Sequence, residues 1–434
     1  MSFIRTSVAN GVGEVILDRP KALNALDQSM VDDMYEILGE WGDDDDVETV
    51  LVTSASERAF CAGGDIRAIR ESALEGDTEA ITRYFAHEYR LNQLIATYPK
   101  AYVALVDGPA MGGGLGISVH GEVRVVSEKA MIAMPETAIG FLPDVGSTHF
   151  LPRLPMGVGM WLGLTGSRVL GEQALSVGLA THFVPSARIG AVAERIRAGA
   201  PLGEALAPEP AELDRHPLLP LDKIGEYFAD TNVAAIIGGL RGAVGDDWAA
   251  QMLDLLAAAS PTSLAVTARM LELGEASSLD ECLERELHAA EKITLTPDFV
   301  EGVRAVLVDK DRDPSFSPAS VDDVDPARWH GSSAPEASRR QVEPAGQAGR
   351  LLRHRRACGA DVCGADVCGA DTAGPGAGAA GASGALAVAS SSVMSSLGAN
   401  GLARVVTAVG QSRWPAIRSP VTVVSARRHV DDVR

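Results

Sequence analysis

Residues 59–65 read Ala59-Phe-Cys-Ala-Gly-Gly-Asp65, and residues 111–116 read Met111-Gly-Gly-Gly-Leu-Gly116. Each loop follows a short apolar run typical of a strand, residues 49–53 for the first loop and residues 101–106 for the second. Because glycine allows backbone conformations that other residues forbid, such loops can direct bare amide N–H groups at a ligand. Two amides that converge from separate loops form an oxyanion hole. Neither loop matches a nucleotide-binding fingerprint.

A third segment, residues 134–146, carries two carboxylates in a mostly apolar loop that also contains prolines. It reads Met134-Pro-Glu-Thr-Ala-Ile-Gly-Phe-Leu-Pro-Asp-Val-Gly146, so that Glu136 and Asp144 lie eight residues apart. Burial raises the pKa of a carboxylate, and a loop can hold such a group against a reacting atom as a base or a nucleophile. The alternative is that both acids are solvated.

The first 200 residues alternate short β-type runs with helical patterns, which is typical of stacked ββα or βαβ units. Residues 12–17 and 49–53 are predicted as strands, and residues 26–41 between them as a helix capped by Asp27. A second helix is predicted over residues 77–97. Glu88 shares the apolar face of this helix, which places its carboxylate at the rim of the core or in a cavity.

The pattern between residues 201 and 309 is mainly helical. The four predicted helices are residues 249–259, 263–273, 279–293 and 299–308. The domain prediction is therefore an α/β core over residues 1–200, a helical C-terminal subdomain over 201–325, and a low-complexity tail over 326–434.

The tail differs in composition from the rest of the chain. Residues 331–434 contain 12 Arg, no Lys and 7 Asp or Glu, whereas the remainder contains 26 Lys or Arg and 51 Asp or Glu. Its sparse apolar content predicts disorder. The loss of Lys and of periodicity also fits a frame-shifted reading of a GC-rich gene, and the sequence leaves a native tail and a frameshift product open. Cysteines at five-residue intervals lack the paired spacing of tetrahedral metal sites, so no metal site is predicted.

The net charge of −20 argues against non-specific nucleic-acid binding, which needs basic patches. The first ten residues contain no long apolar run, and no stretch approaches the roughly 20 apolar residues of a membrane-spanning helix. Five cysteines, an odd number, do not suggest a disulfide framework. We expect a soluble, cytoplasmic protein that binds neither nucleic acid nor a membrane.

From about residue 3 to residue 325 the sequence resembles the crotonase (enoyl-CoA hydratase/isomerase) superfamily, and within it the branch of hydrolases that act on 3-hydroxyisobutyryl-CoA. The resemblance implies an α/β fold, a crotonase-like spiral of ββα units with a helical C-terminal subdomain. Besides the three segments quoted above, the motifs that carry it are Arg19-Pro-Lys-Ala-Leu-Asn-Ala-Leu26, His87-Glu-Tyr-Arg-Leu-Asn92 and Ser118-Val-His-Gly121.

The resemblance also implies roles for individual residues. The backbone amides of Ala62 and Gly113 would form the oxyanion hole. Glu136 and Asp144 would be catalytic, and Glu88 and Gly113 would line the acyl site with them. The residues expected to contact the CoA moiety are Lys21, Leu23, Ala62, Asp65 and Ile66.

One departure separates this chain from the hydratases of the superfamily. Hydratases use two glutamates, and the position of one of them is Gly116 here. The expected activity is therefore hydrolysis of the thioester of 3-hydroxyisobutyryl-CoA, or of a similar short hydroxyacyl-CoA, as in valine catabolism. The alternatives are an enoyl-CoA hydratase or isomerase, and a non-catalytic scaffold that binds acyl-CoA. For Glu136 the sequence leaves two routes open, general base or nucleophile.

The resemblance implies no cofactor, since CoA is part of the substrate, and no metal. The expected partner is the acyl-CoA substrate. A homo-oligomer is also expected, as a trimer or a multiple of it.

Overall fold

The computed structural model describes residues 2–207 and 217–329. Residues 330–434 of the predicted tail lie outside the described residues, and so do the predictions of disorder and of a frameshift for them, whereas residues 326–329 are described and contain a 3-10 turn. The described residues belong to one compact unit. Among these residues, no helix is both long enough and apolar enough to cross a membrane.

The strands form two sheets. In chain order the strands are β1 (Ile4–Ala9), β2 (Val12–Leu17), β3 (Thr49–Ser54), β4 (Ala101–Val106), β5 (Pro109–Met111), β6 (Val123–Val126), β7 (Met131–Ala133), β8 (Val169–Leu170) and β9 (His182–Phe183). The larger sheet has the order β1-β2-β3-β4-β6-β9, and the smaller has the order β5-β7-β8. Apart from the antiparallel pairs β1–β2 and β7–β8, the strands pair in parallel.

The helices cover the sheets and form most of the described chain between residues 186 and 303. They are α1 (Gln28–Asp43), α2 (Ile66–Glu75), α3 (Thr78–Ala96), α4 (Gly113–Gly116), α5 (Ser147–Phe150), α6 (Val158–Thr165), α7 (Gly171–Ser176), α8 (Ser186–Arg197), α9 (Leu202–Ala205), α10 (Leu221–Phe228), α11 (Val233–Gly242), α12 (Asp247–Ala257), α13 (Pro261–Gly274), α14 (Leu279–Ile293) and α15 (Pro297–Val303). A π-helical turn (Arg304–Val308) follows α15, and the 3-10 turns are Pro20–Ala22, Glu136–Ile139, Leu151–Arg153, Val321–Asp323 and Pro326–Arg328.

The two predicted N-terminal helices are confirmed as α1 and α3. The side chain of Asp27 accepts a hydrogen bond from the N–H of Met30, and that of Asp77 accepts one from the N–H of Ala80. These caps satisfy amides that have no partner within the helix, which explains why each helix begins where it does. The two helices pack against each other, and α3 also packs against α14.

The four predicted C-terminal helices are confirmed as α12, α13, α14 and α15. Helices α10 and α11 were not predicted individually. Buried residues of α10 to α14 belong to the same main core as residues of β2, β3 and β4. This core is shared by residues on both sides of residue 200. The domain boundary at residue 200 therefore stays a prediction.

Candidate active site

The two glycine-rich loops lie side by side. The N–H of Cys61 donates to the carbonyl of Pro109 (3.1 Å), and the N–H of Met111 donates to the carbonyl of Cys61 (3.1 Å). A Cβ built on Gly114 would lie 2.4 Å from the carbonyl oxygen of Cys61, so the loops can approach this closely only with glycine at that position. The structure thus brings together the two segments that the sequence singled out.

The free backbone amides differ from the predicted pair. The N–H of Ala62 donates to the carbonyl of Leu23 (3.0 Å), so the prediction of Ala62 as an oxyanion donor is wrong for this structure. In the described part of the chain, the N–H groups of Gly64 and Gly113 donate to no protein acceptor. The nitrogen of Gly64 lies 3.3 Å from the point that a Cβ on Gly113 would occupy. The candidate oxyanion donors are therefore Gly64 and Gly113.

Two of the predicted acids lie against the second loop. Glu136 begins the 3-10 turn after β7, and Glu88 projects from α3. A Cβ built on Gly112 would lie 2.6 Å from Oε1 of Glu136, and one built on Gly113 would lie 2.5 Å from Oε1 of Glu88. The absence of side chains at these two positions leaves the space into which the two carboxylates project.

The third acid, Asp144, is held by a tyrosine. The hydroxyl of Tyr89 donates to Oδ2 of Asp144 (2.8 Å), and Tyr89 follows Glu88 directly on α3. The side chains of Glu88, Glu136 and Asp144 are nearly enclosed, with only 2%, 8% and 5% of their surface exposed. The structure therefore collects three carboxyl groups in one buried region.

Burial raises the pKa of all three acids, because it removes water from the charged form. For Glu88 and Glu136 the pKa lies well above the usual range, and the charge of Asp144 raises both further. Burial also raises the pKa of Asp144, to about 7, although the hydrogen bond from Tyr89 lowers it. Groups with such shifts in one buried cluster are typical of catalytic sites.

Comparison with known proteins identifies the family of this fold and site. Residues 12–331 match the family model described as enoyl-CoA hydratase/isomerase. The chain belongs to the enoyl-CoA hydratase/isomerase family. The chain is 43% identical to a "3-hydroxyisobutyryl-CoA hydrolase, mitochondrial" from Xenopus tropicalis over 73% of its own length and 84% of that protein. It is 40% identical to the protein of the same name from Homo sapiens, over 72% of its own length and 83% of that protein.

Solved structures of the enoyl-CoA hydratase/isomerase family share the fold of this chain. A carnitinyl-CoA dehydratase from Mycobacterium thermoresistibile has a TM-score of 0.71 and 38% identity, and the match covers 78% of this chain and 99% of that one. An enoyl-CoA hydratase from Rhodobacter sphaeroides has a TM-score of 0.70 and 37% identity, over 76% and 96% of the two chains. These matches confirm the predicted crotonase fold.

At Gly116 this member of the enoyl-CoA hydratase/isomerase family has an asparagine amide in place of an acid. A Cβ built on Gly116 would lie 2.7 Å from Nδ2 of Asn92 and 2.9 Å from Cβ of Val145. Asn92 is fully buried, and its side-chain nitrogen and oxygen have no partner in the described residues. Asn92 ends one of the sequence motifs quoted above but was not predicted as a site residue, although it lies four residues after Glu88 and hence on the same face of α3.

Among the residues predicted to contact CoA, Ala62 and Asp65 belong to the first loop, and Leu23 accepts a hydrogen bond from Ala62. Lys21 is exposed, and Leu23 and Ile66 are partly buried. The carboxylate of Asp65 is paired with the guanidinium of Arg19 at 2.9 Å. A contact of these residues with CoA stays a prediction.

The cysteine of the first loop is not a nucleophile in this structure. Cys61 is fully buried, and its thiol donates to the carbonyl of Asn24 at 3.0 Å. Burial raises the pKa of this thiol to about 12, so it stays protonated at neutral pH.

A separate cavity lies between the larger sheet and α8, and its lining includes none of the three buried acids Glu88, Glu136 and Asp144. Its lining includes Arg5 and Arg197. Arg5 is paired with Asp18 (2.8 Å) and Arg197 with Glu14 (2.5 Å), so neither guanidinium is left unpaired for an anionic ligand. We therefore place the active site at the glycine loops and not in this cavity.

Proposed function

We propose that this chain hydrolyses the thioester of 3-hydroxyisobutyryl-CoA, or of a similar short hydroxyacyl-CoA, to the free acid and CoA. The curated relatives that share about 40% of its residues carry this activity in their names. The observation that carries the proposal is the arrangement of Glu136, Asp144 and Glu88 against a glycine loop with an unused amide. The position of the hydratases' second glutamate is taken by Gly116 and the amide of Asn92, which favours hydrolysis over hydration.

In the proposed reaction the thioester carbonyl oxygen lies between the N–H groups of Gly64 and Gly113. As the carbonyl carbon is attacked, this oxygen becomes an anion, and the two amides stabilise it without having to reorient. The C–S bond then breaks, and the sulfur of CoA takes up the proton that is lost by the water molecule consumed in the reaction. No cofactor takes part in this reaction, since CoA is part of the substrate.

Glu136 supplies the attacking group by one of two routes. It removes a proton from a water molecule as that water attacks, or it attacks directly to form a mixed anhydride that water then cleaves. Both routes need Glu136 as a carboxylate, and both balance as thioester plus water giving acid plus thiol. Oε2 of Glu136 has no partner among the described residues and is free to serve either route.

Asp144 and Glu88 recognise the hydroxyl group of the acyl chain. A buried acid that loses its hydroxyl partner is left unpaired, and this costs more than a missing methyl group. The enzyme therefore selects a hydroxylated acyl chain over one that lacks the hydroxyl. Asp144 is already oriented by Tyr89, which fixes one of its oxygens and leaves the other for the substrate.

The pH dependence of kcat/KM follows from the ionisation of these acids. Because the pKa values of the folded protein are raised, the carboxylate forms appear only at higher pH, and activity is lost as the pH falls. We expect the acidic limb at an apparent pKa of about 7 or above, compared with about 4 for free carboxyl groups. Such values belong to the cluster and not to one acid. The measurement is thiol release between pH 5 and 9 at constant ionic strength; full activity at pH 5 would contradict it.

The proposed function is tested by comparing two substrates with the full chain. We expect release of free thiol from 3-hydroxyisobutyryl-CoA and no loss of the enoyl absorbance of crotonyl-CoA. The hydratase alternative, which the names of the two structural relatives favour, gives the opposite result. Binding of CoA esters with no turnover of any thioester would support the scaffold alternative instead.

The oligomeric state and the cellular location both stay predictions. The assembly into trimers or a multiple of them is compatible with the family. The cytoplasmic location rests on the sequence alone, whereas the names of the curated relatives place those proteins in mitochondria.

A further inference from the structure

A glutamate of the C-terminal helix α14 reaches the loop that carries Asp144. Glu286 is fully buried, and its two oxygens accept three hydrogen bonds. The donors are the N–H of Gly146 (2.7 Å), the N–H of Thr148 (2.9 Å) and the hydroxyl of Thr148 (2.6 Å). All three partners are donors, so Glu286 is bound as an acceptor on both oxygens.

The loop that Glu286 holds has a strained backbone. Val145 has a φ of +54° and Gly146 a φ of +80°. A β-branched residue in this left-handed region is a rare outlier, and such a conformation persists only where its surroundings enforce it. A network of fixed contacts is therefore needed to keep the residue after Asp144 in this conformation.

A histidine also contacts this loop. Nε2 of His120 donates to the carbonyl of Val145 at 2.8 Å. A Cβ on Gly146 would lie within 2.9 Å of both the His120 ring and Leu279 of α14, so these two side chains fill the space beside this glycine. Tyr89 of α3 contacts the carboxylate of Asp144 itself. His120, from the segment after α4, and Glu286 of α14 contact the backbone that follows Asp144.

We propose that Glu286 is a positioning residue, which sets the place of the Asp144 carboxylate by fixing the backbone that follows it. This inference rests on the proposed function, in which Asp144 reads the hydroxyl of the substrate. It makes the C-terminal helical region a part of the specificity site. Packing of α14 alone does not require a carboxylate at this position, since an apolar residue would fill the same space. The three hydrogen bonds that Glu286 accepts from the strained loop therefore indicate a role beyond packing.

The test compares Glu286→Gln with a control on the same helix. Glu291→Gln also removes a carboxylate of α14 that bonds a threonine of α3, Thr82 at 2.9 Å, but that bond lies away from the Asp144 loop. Because a glutamine turns one acceptor into a donor, it faces the loop's donors with an N–H group. In both variants we measure kcat/KM for 3-hydroxyisobutyryl-CoA and for isobutyryl-CoA, which lacks the hydroxyl.

For Glu286→Gln we expect the preference for the hydroxylated substrate to fall about tenfold, while Glu291→Gln stays within about twofold of the wild type. In a protein that already carries Asp144→Asn, Glu286→Gln should change the preference for the hydroxylated substrate by less than about twofold, because the carboxylate that Glu286 positions is no longer there. If Glu286→Gln does not fold, Thr148→Val removes one of the three donors, and we expect a smaller fall of the same preference.

The outcomes separate the inference from the function on which it rests. Equal losses on both substrates, or an effect that persists in the Asp144→Asn background, would overturn the positioning role and leave Glu286 as a packing residue. If the wild type releases no thiol from either substrate, the proposed function fails, and this inference fails with it.

Discussion

Glu136→Gln is expected to lower kcat for thioester hydrolysis by about 10²- to 10⁴-fold, the range typical for loss of a general base. The glutamine keeps the size of the side chain that fits against Gly112, but it has no lone pair basic enough to take a proton from water. Since the amide still fills the same space, KM should stay within a few-fold of its original value. The measurement is steady-state thiol release with 3-hydroxyisobutyryl-CoA.

Two controls accompany this variant. Glu122→Gln removes an exposed carboxylate and should leave kcat unchanged. Thermal unfolding should show Glu136→Gln to be at least as stable as the wild type at pH 8, because a buried acid whose pKa is raised by burial is replaced by a neutral group. Near-full activity of Glu136→Gln, together with near-full activity of Asp144→Asn, would show that the catalytic roles are assigned to the wrong residues.

Elements with a strong local signal were predictable from the sequence. Strand β2 is a run of largely buried residues, and α1 and α3 combine apolar periodicity with an aspartate cap. Strand β1 was not identified, because only its first residue is buried and it shows no apolar alternation. Helix α11 contains three glycines, which lower helix propensity and hide its periodicity.

The residues of the site also fall into two groups, those that a local sequence pattern indicates and those that only the fold brings together. Glu136 and Asp144 could be identified because they belong to one short segment of unusual composition. The choice between Ala62 and Gly64 as the free amide could not be made, because it depends on where the carbonyl of Leu23 lies in the folded chain. Nor could Glu286 be connected with Asp144, since no local pattern joins residues that far apart in sequence.

Gly113→Ala is expected to lower kcat/KM by about a hundredfold or more, comparable to the loss of an oxyanion donor. Gly113 has no positive φ and begins the short helix α4, so alanine suits its backbone. The added methyl group would lie 2.5 Å from Oε1 of Glu88 and 3.3 Å from the nitrogen of Gly64, so that it enters the space between the acyl site and the second oxyanion amide.

The protein should still fold with this substitution, because the atom that must move is the end of the flexible side chain of Glu88. Gly39→Ala is the matched control. It adds the same methyl group in α1, where a Cβ would meet no atom within 4 Å, and alanine should there be neutral or stabilise the helix slightly. If Gly113→Ala retained activity within about fivefold of the Gly39→Ala level, the thioester oxygen would have to bind elsewhere. The amides of Gly64 and Gly113 would then have no catalytic role.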